Sequence, residues 1–257
     1  MLSVRVIPVL LLRRSGLVKT VRFRNAAYVG DPINIVRIFS EKEVDELILT
    51  EIRATKDGKR PDFELLEQIA SEAFMPICYG GGVRSVDDAT RILRLGMEKV
   101  SINTAALERP SLVQELATEL GSQCVVASVD VQKDALGRYQ VFSHADRPVP
   151  ETNPLRWIDR LIRLGAGEIL LNAVDRDGTM EGFDLTLLRL VRGRFDVPVI
   201  ACGGASDLGN MRAAVREGAL SAVGVGARFI YEGPYRAVLV SYLTRSEIES
   251  LSAGVVS

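Results

Sequence analysis

Two hydrophobic patterns alternate along the chain. Short apolar runs rich in Val, Ile and Leu fall at 4–11, 46–52, 76–79, 99–102, 124–130, 168–174, 198–202 and 222–225. Their length and β-branched content predict buried strands. Between them lie segments with apolar residues every three or four positions, such as "DFELLEQIASEAF", "SVDDATRILRLG", "SLVQELATELG", "LRWIDRLIRLG" and "LTLLRLVRGRF". That spacing predicts amphipathic helices. Strand–helix alternation repeated about eight times predicts an α/β fold, a (β/α)8 TIM barrel. No linker or low-complexity segment divides the chain, so residues 1–257 are expected to form one domain.

The pattern repeats internally. "DELILTEIRATKDG" resembles "GEILLNAVDRDG", and "MPICYGGG" resembles "VPVIACGG". Glu46 pairs with Glu168, Pro76 with Pro198, Gly82 with Gly204 and Gly96 with Gly218. Each pair is 122 positions apart (168 − 46, 198 − 76, 204 − 82, 218 − 96). A constant spacing of this kind predicts two half-barrels, at about 1–120 and 121–245.

Composition narrows the function. Hydrophobic residues make up 47% and charged residues 25%, enough for a large core. A net charge of −1 gives no global attraction to nucleic acid or an anionic membrane. Cys78, Cys124 and Cys202 lie in apolar runs without metal-ligand spacing and read as small buried hydrophobes. With His144 the only histidine, no metal is expected, and no other cofactor. The absence of a leader pattern or a membrane-length apolar run predicts a cytoplasmic protein.

In a barrel of this kind, chemistry sits in the loops after the strands. Gly80-Gly81-Gly82 follows the third predicted strand, and Gly203-Gly204 follows the seventh. Glycine lets a backbone approach an oxyanion closely, and a following helix start offers N–H donors. A single such loop reads most simply as a tight turn. Two related by the repeat favour a substrate with a phosphate at each end. Asn103-Thr104 and Val225-Gly226, also 122 apart, are expected to complete the two cradles, with Asp177-Gly178 reaching toward the second. In "VIPVLLLRRSGLVKT", Arg13, Arg14 and Lys19 follow the first strand as the expected rim of an anion site. Ser15-Gly16 reads as a flexible turn, with Lys19 in a loop over the mouth. The strand itself ends on Leu11, which carries no acid, base or nucleophile.

"GDPINIVRIFSEKEVDEL", "GGGVRS", "KVSINTAA", "GSQCVVASVD", "GAGEIL", "DRDGT" and "VPVIACGGA" resemble the cyclase subunit of imidazole glycerol phosphate synthase over nearly the whole chain. The resemblance implies a lyase-type barrel that takes ammonia from a class I glutaminase docked at its N-terminal face. The substrate is then a doubly phosphorylated small molecule. It also implies two catalytic aspartates. One matches Asp130 in "ASVD"; the other position is Leu11, in "PVLL" where the family has "PCLD". The family's loop lysine matches Lys19. Glu51 stands for an aspartate, Asn172 for a threonine and Gly226 for a serine of the second phosphate site. The family's "GG" in the loop after strand five becomes "SHADRP" at 143–148. Arg5, Glu46, Lys99 and Glu168 match the family's ring of charges gating ammonia, and Glu98 replaces an aspartate that contacts the glutaminase. Ordinary surface charge at strand starts is the plainer reading of any one of the four.

"GLVKTVRF", "GDPINIV", "EKEVDEL" and "FMPICYGGG" further resemble cyclase-like proteins of acetamidino-sugar biosynthesis. That branch implies ammonia delivery to a separate ATP-dependent amidotransferase in surface-polysaccharide synthesis. Three readings therefore stand. The first is ammonia transit for amidination of a sugar precursor. The second is a histidine-pathway cyclase, with Glu51 or another acid in place of the missing aspartate. The third is a non-catalytic scaffold that activates a glutaminase.

Overall fold

A computed structural model describes residues 4–144 and 148–252. In chain order the elements begin with β1 (Arg5–Arg13), β2 (Gly16–Val21), β3 (Arg24–Gly30), α1 (Pro32–Glu41), β4 (Leu47–Glu51), α2 (Phe63–Ser71), β5 (Ile77–Gly80), α3 (Val86–Arg94), β6 (Lys99–Ile102), α4 (Thr104–Glu108) and α5 (Ser111–Leu120). They continue with β7 (Val125–Lys133), β8 (Tyr139–Val141), α6 (Pro154–Arg163), β9 (Glu168–Ala173), α7 (Leu185–Val191), β10 (Val199–Cys202), α8 (Leu208–Gly218), β11 (Ala222–Val225), β12 (Tyr231–Glu232), β13 (Ala237–Val238) and α9 (Arg245–Leu251). Strands β1, β4, β5, β6, β7, β9, β10 and β11 pair in parallel, and β11 returns to β1 through Arg5↔Ala222 and Ile7↔Gly224. The closed eight-stranded (β/α)8 TIM barrel is as the hydrophobic pattern predicts.

Closure fixes which residues face inward. Arg5, Ile7, Val9 and Leu11 alternate along β1, and their in-register neighbours do the same. Lowest in the barrel lie Arg5, Glu46, Lys99 and Glu168. Above them Ile7, Ile48, Cys78, Val126, Leu170, Ile200 and Ala222 form a separate apolar plug. The opposite strand faces pack on the helices in a second, larger core that includes Phe39, Tyr79, Trp157 and Phe229. Helix starts are set by local chemistry. Asp31, Ser85, Asn153 and Asp207 each accept a backbone N–H of the first turn.

The strand register keeps the 122-residue spacing through β5 and β10, where Leu47 pairs Ile77 and Ile169 pairs Val199, then slips by one residue. α8 continues to Gly218 and is followed by Ala219 in a left-handed conformation, φ 50°. The register shows the consequence: Tyr79 pairs Val100, whereas Ala201 pairs Val223. Beyond this point the offset is 123, not 122. Two further expectations change. The segment after β1 is not a flexible loop but an antiparallel extension, β1–β2–β3, so Lys19 lies on a strand. Cys124 is not deeply buried; it closes a short 3-10 turn before β7, whereas Cys78 and Cys202 are buried as predicted.

Trp157 on α6 is 1% exposed and among the largest buried side chains. Trp157→Ala should lower unfolding free energy by about 3–5 kcal/mol through lost transfer energy and a residual cavity. Urea unfolding of the full chain measures this as a lower midpoint.

Candidate functional site

A cavity of ≈ 200 Å³ opens at the C-terminal ends of the barrel strands. Its floor is Val9, Ser128, Leu170 and Gly224, and higher up it is lined by Leu11, Glu51, Asp130 and Asn172. Of the predicted site residues, Lys19, Gly81, Gly82, Asn103, Thr104, Asp177, Gly178, Gly203, Gly204 and Gly226 also line it. Val225 does not. It is 0% exposed in the outer core, because the one-residue slip makes Gly226 the counterpart of Asn103 and Ala227 that of Thr104. Arg13 and Arg14 are exposed and outside the cavity lining, so the expected basic rim reduces to Lys19. Residues 145–147, within the altered "SHADRP" stretch, lie outside the described residues.

Both glycine loops are built for close approach. A Cβ at Gly81 would fall 2.3 Å from the Glu51 carbonyl oxygen, and one at Gly204 would fall 2.2 Å from that of Gly182. Both glycines have φ near +100°, which L side chains rarely adopt. The helices that follow them are not the free N–H sources expected. Ser85 caps α3 and Asp207 caps α8, and Asp87 and Asp88 add negative charge to the first turn of α3. Uncapped starts follow the next strands instead: Asn103 before α4 and Gly226 before the 3-10 turn Ala227–Phe229 make no side-chain cap bond. Each glycine loop therefore lies beside an uncapped start that follows the neighbouring strand.

Asp130, 7% exposed, stands between the cradles. Asn103 Nδ2 donates to its Oδ2 at 2.7 Å, and Asn172 Nδ2 to its Oδ1 at 3.3 Å. Burial pushes the Asp130 carboxyl up to about 7, aided by the charge of Asp177 and opposed by the two amide hydrogen bonds. A carboxyl held near neutrality can give or take a proton at working pH. Lys19 donates to the Val9 carbonyl, and burial lowers it to about 8, with Asp177 opposing that fall. Asp177 accepts from Thr20 Oγ1 at 3.2 Å; burial raises its pKa, against the nearby lysine and hydrogen bonds from Thr20 and the Phe23 backbone. Glu51 is half-buried and is raised by burial, while backbone N–H groups of Arg53, Ala54 and Arg14 oppose the shift. Leu11 lines the same wall with no group to transfer a proton. Asn172 Oδ1 is buried with no hydrogen-bond partner, alone in this among the described residues.

Phe23, His144 and Met180 also line the cavity and were not legible as site residues. Phe23 belongs to a two-residue turn, Arg22–Phe23, with φ 51° and 60°. Its ring meets those of His144 and Phe142 edge to face, at 5.6 and 6.0 Å. The paired left-handed residues usually call for Asn-Gly, so nothing in "VRFR" announces the turn.

At the other mouth the predicted ring is closed. Arg5 Nη1 reaches Glu46 Oε2 at 2.5 Å and Arg5 Nη2 pairs with Glu168 Oε1. Lys99 Nζ reaches Glu46 Oε1 at 2.9 Å and Glu168 Oε2 at 2.8 Å. Burial opposes the charge on Lys99 and Arg5, but hydrogen bonds and attraction from Glu168 and Glu46 win, and both pKa values rise.

Fold and site define a (β/α)8 barrel with paired glycine loops around the buried carboxyl of Asp130. The chain belongs to the histidine biosynthesis protein family, whose match spans residues 5–236. It is 49% identical over 238 residues to the putative imidazole glycerol phosphate synthase subunit hisF2 of Pseudomonas aeruginosa, covering 93% of this chain and 95% of that one. Its identity to the putative subunit HisF of Leptospira interrogans is 43% over 252 residues, 98% and 99% of the two chains. The imidazole glycerol phosphate synthase subunit HisF of Frankia casuarinae is 42% identical over 220 residues, 84% and 87%. The family is one of enzyme subunits. No helix among the described residues is long and apolar enough to cross a membrane.

Between about pH 4 and 7 the folded protein keeps the Asp130 proton that the unfolded chain has released. Stability should therefore fall as pH rises through that window and level off above it. Asp130→Asn, which cannot ionise, should be more stable than wild type at pH 8 by of order 1–4 kcal/mol. The gap should close toward pH 4. Denaturant unfolding at the two pH values checks this.

Proposed function

We propose that this barrel is the ammonia-receiving subunit of a glutamine-dependent amidotransferase complex. A class I glutaminase sits on its N-terminal face, and the ammonia is used to amidinate a phosphorylated sugar precursor. The observation that carries the reading is an asymmetry between the two mouths. The charged ring Arg5–Glu46–Lys99–Glu168 is complete. The chemical end keeps both cradles and Asp130 but has Leu11 where the family has its second acid. Cyclisation needs two cooperating proton-transfer groups, and loss of one costs several orders of magnitude in rate. Conducting ammonia and holding an anion need neither. The orphaned Asn172 Oδ1 supports the reading, because a small N–H donor arriving from below would satisfy it. The ammonia acceptor is then a substrate of a separate ATP-dependent amidotransferase.

A second reading keeps histidine-pathway cyclisation. It draws on the names of the relatives and on Glu51, a half-buried acid in the same cavity. In that case the gene rescues a histidine auxotroph lacking its cyclase. Under the proposal it does not, despite good expression. A pure scaffold, in contrast, tolerates Asp130→Asn without loss of pathway activity.

The ring supplies a further prediction. Removing one partner of a buried ion network leaves an uncompensated charge. Lys99→Ala should leave Glu46 and Glu168 sharing Arg5 alone and reduce stimulation of the co-purified glutaminase at least about tenfold, the cost of some 1.4 kcal/mol in coupling. Asp130→Asn should leave that stimulation intact. Glutamate release from glutamine measures both.

A further inference from the structure

The two glycine loops sit in equivalent surroundings. A Cβ at Gly82 would meet Ala54 Cβ at 3.0 Å and the Arg60 carbonyl carbon at 3.3 Å. One at Gly204 would meet Arg176 Cβ at 3.1 Å and the Gly182 carbonyl carbon at 2.7 Å. These neighbours are themselves repeat mates, since 176 − 54 and 182 − 60 are both 122. The segment after β4 therefore packs on its glycine loop as the segment after β9 packs on the other. Within those segments Thr55 and Lys56 occupy the places of Asp177 and Gly178 (177 − 55 and 178 − 56, again 122), and all four line the main cavity.

The equivalent places differ in charge. Gly178 has no room for a side chain, because a Cβ there would fall 1.9 Å from the Thr20 carbonyl oxygen. That end takes its cation from β2 instead: Lys19 Nζ stands 3.2 Å from where a Cβ of Gly226 would be. At the first loop the same place carries Lys56, exposed on the cavity wall. Its segment is fixed by other residues. Glu51 Oε1 accepts the Arg53 N–H at 3.1 Å, Arg53 pairs with Asp57 at 2.6 Å, and Arg60 pairs with Asp88 at 2.6 Å and Asp87 at 2.9 Å. Backbone bonds from Asp57 to Arg53 and from Lys59 to Ala54, both 2.8 Å, close the turn. Both arginines of the segment are thus committed to carboxylates. Among the described residues Lys56 has no hydrogen-bond or ion-pair partner.

We propose that Lys56 is a specificity-determining residue of the first glycine loop, the cation that closes on a phosphate held by the Gly81-Gly82 backbone. A glycine loop alone offers only neutral N–H groups, and a lysine ammonium adds a mobile point charge with three donors. The repeat then gives each end of the cavity one lysine, Lys56 for the first loop and Lys19 for the second, from unrelated positions in the chain. The inference rests on the reading of the glycine loops as phosphate cradles. It does not rest on ammonia transit.

Amide proton–nitrogen NMR of the full chain, titrated with inorganic phosphate, tests it loop by loop. In wild type the Gly81 and Gly82 amides and the Gly203 and Gly204 amides should shift, and each pair yields a Kd. Lys56→Gln should weaken the Kd read at Gly81 and Gly82 at least about fivefold, as a charge-assisted contact at an exposed wall is lost. The Kd read at Gly203 and Gly204 should not change. Lys56→Arg keeps the charge and should stay within about twofold of wild type. Lys59→Gln removes an exposed neighbour outside the cavity lining and should change neither value. Lys56 is exposed, so its variants keep the fold. If Lys56→Gln leaves the first Kd in place, weakens both loops equally, or does no more than Lys59→Gln, the assignment of Lys56 is overturned while the cradle reading survives. If phosphate shifts neither Gly81 nor Gly82 in wild type, the first loop is no cradle, and the assignment falls with that reading.

Discussion

Closure of β11 onto β1 is the constraint from which the rest follows. Once Arg5 lies opposite Ala222 and Ile7 opposite Gly224, every strand has one face committed to the barrel interior. Interior positions then stack in layers, and each layer has its own chemistry. The lowest is a ring of four charges that neutralise one another. Above it lies an apolar plug of aliphatic side chains and Cys78. Small and polar residues follow: Gly80, Ser101, Ser128 and Gly224 leave space, and Asp130 and Asn172 stand above that space. A one-residue shift in any strand would turn these groups outward and put core leucines and valines in their place.

The two ends are under different electrostatic demands. The lower ring works because its acids and bases are matched in number and geometry. At the upper end Asp130 has only amide donors for company, and Asp177 adds a like charge. Its proton is therefore retained to about neutral pH. Leu11 across the mouth removes what would have been another buried carboxyl. The site that results sets Asp130 among glycine loops, with Lys19 and Glu51 on the same walls and no ionisable group at Leu11.

Much of this was legible in the sequence, and the boundary of legibility is physical. Strand runs, helix periodicity and the repeat fixed the barrel, because inward and outward faces of a closed sheet must be apolar in a regular order. Arg5, Glu46, Lys99 and Glu168 could be read as a ring, since each falls at a strand start. Val225 was misplaced because the repeat was carried one residue too far: Ala219 adds a position that no composition signal marks. The uncapped helix starts after β6 and β11 were invisible, because capping depends on side-chain direction as well as residue type. Phe23 and Met180 come from turns whose left-handed residues are not the usual glycine or asparagine. Lys19 was found as part of the expected basic rim and from resemblance, but its burial on an antiparallel strand, and hence its lowered pKa, needed the fold.

The central proposal is that a site with one of the family's two acids, Asp130, has taken the place of a two-acid cyclase site while the ammonia entrance is retained. It is tested most directly by supplying the purified barrel with ammonium and the doubly phosphorylated histidine-pathway substrate, and following imidazole glycerol phosphate formation. The account predicts a rate several orders of magnitude below that of a two-aspartate relative, since one of two cooperating acid/base groups is gone. Turnover at the relative's full rate, with Leu11 in place, would contradict it.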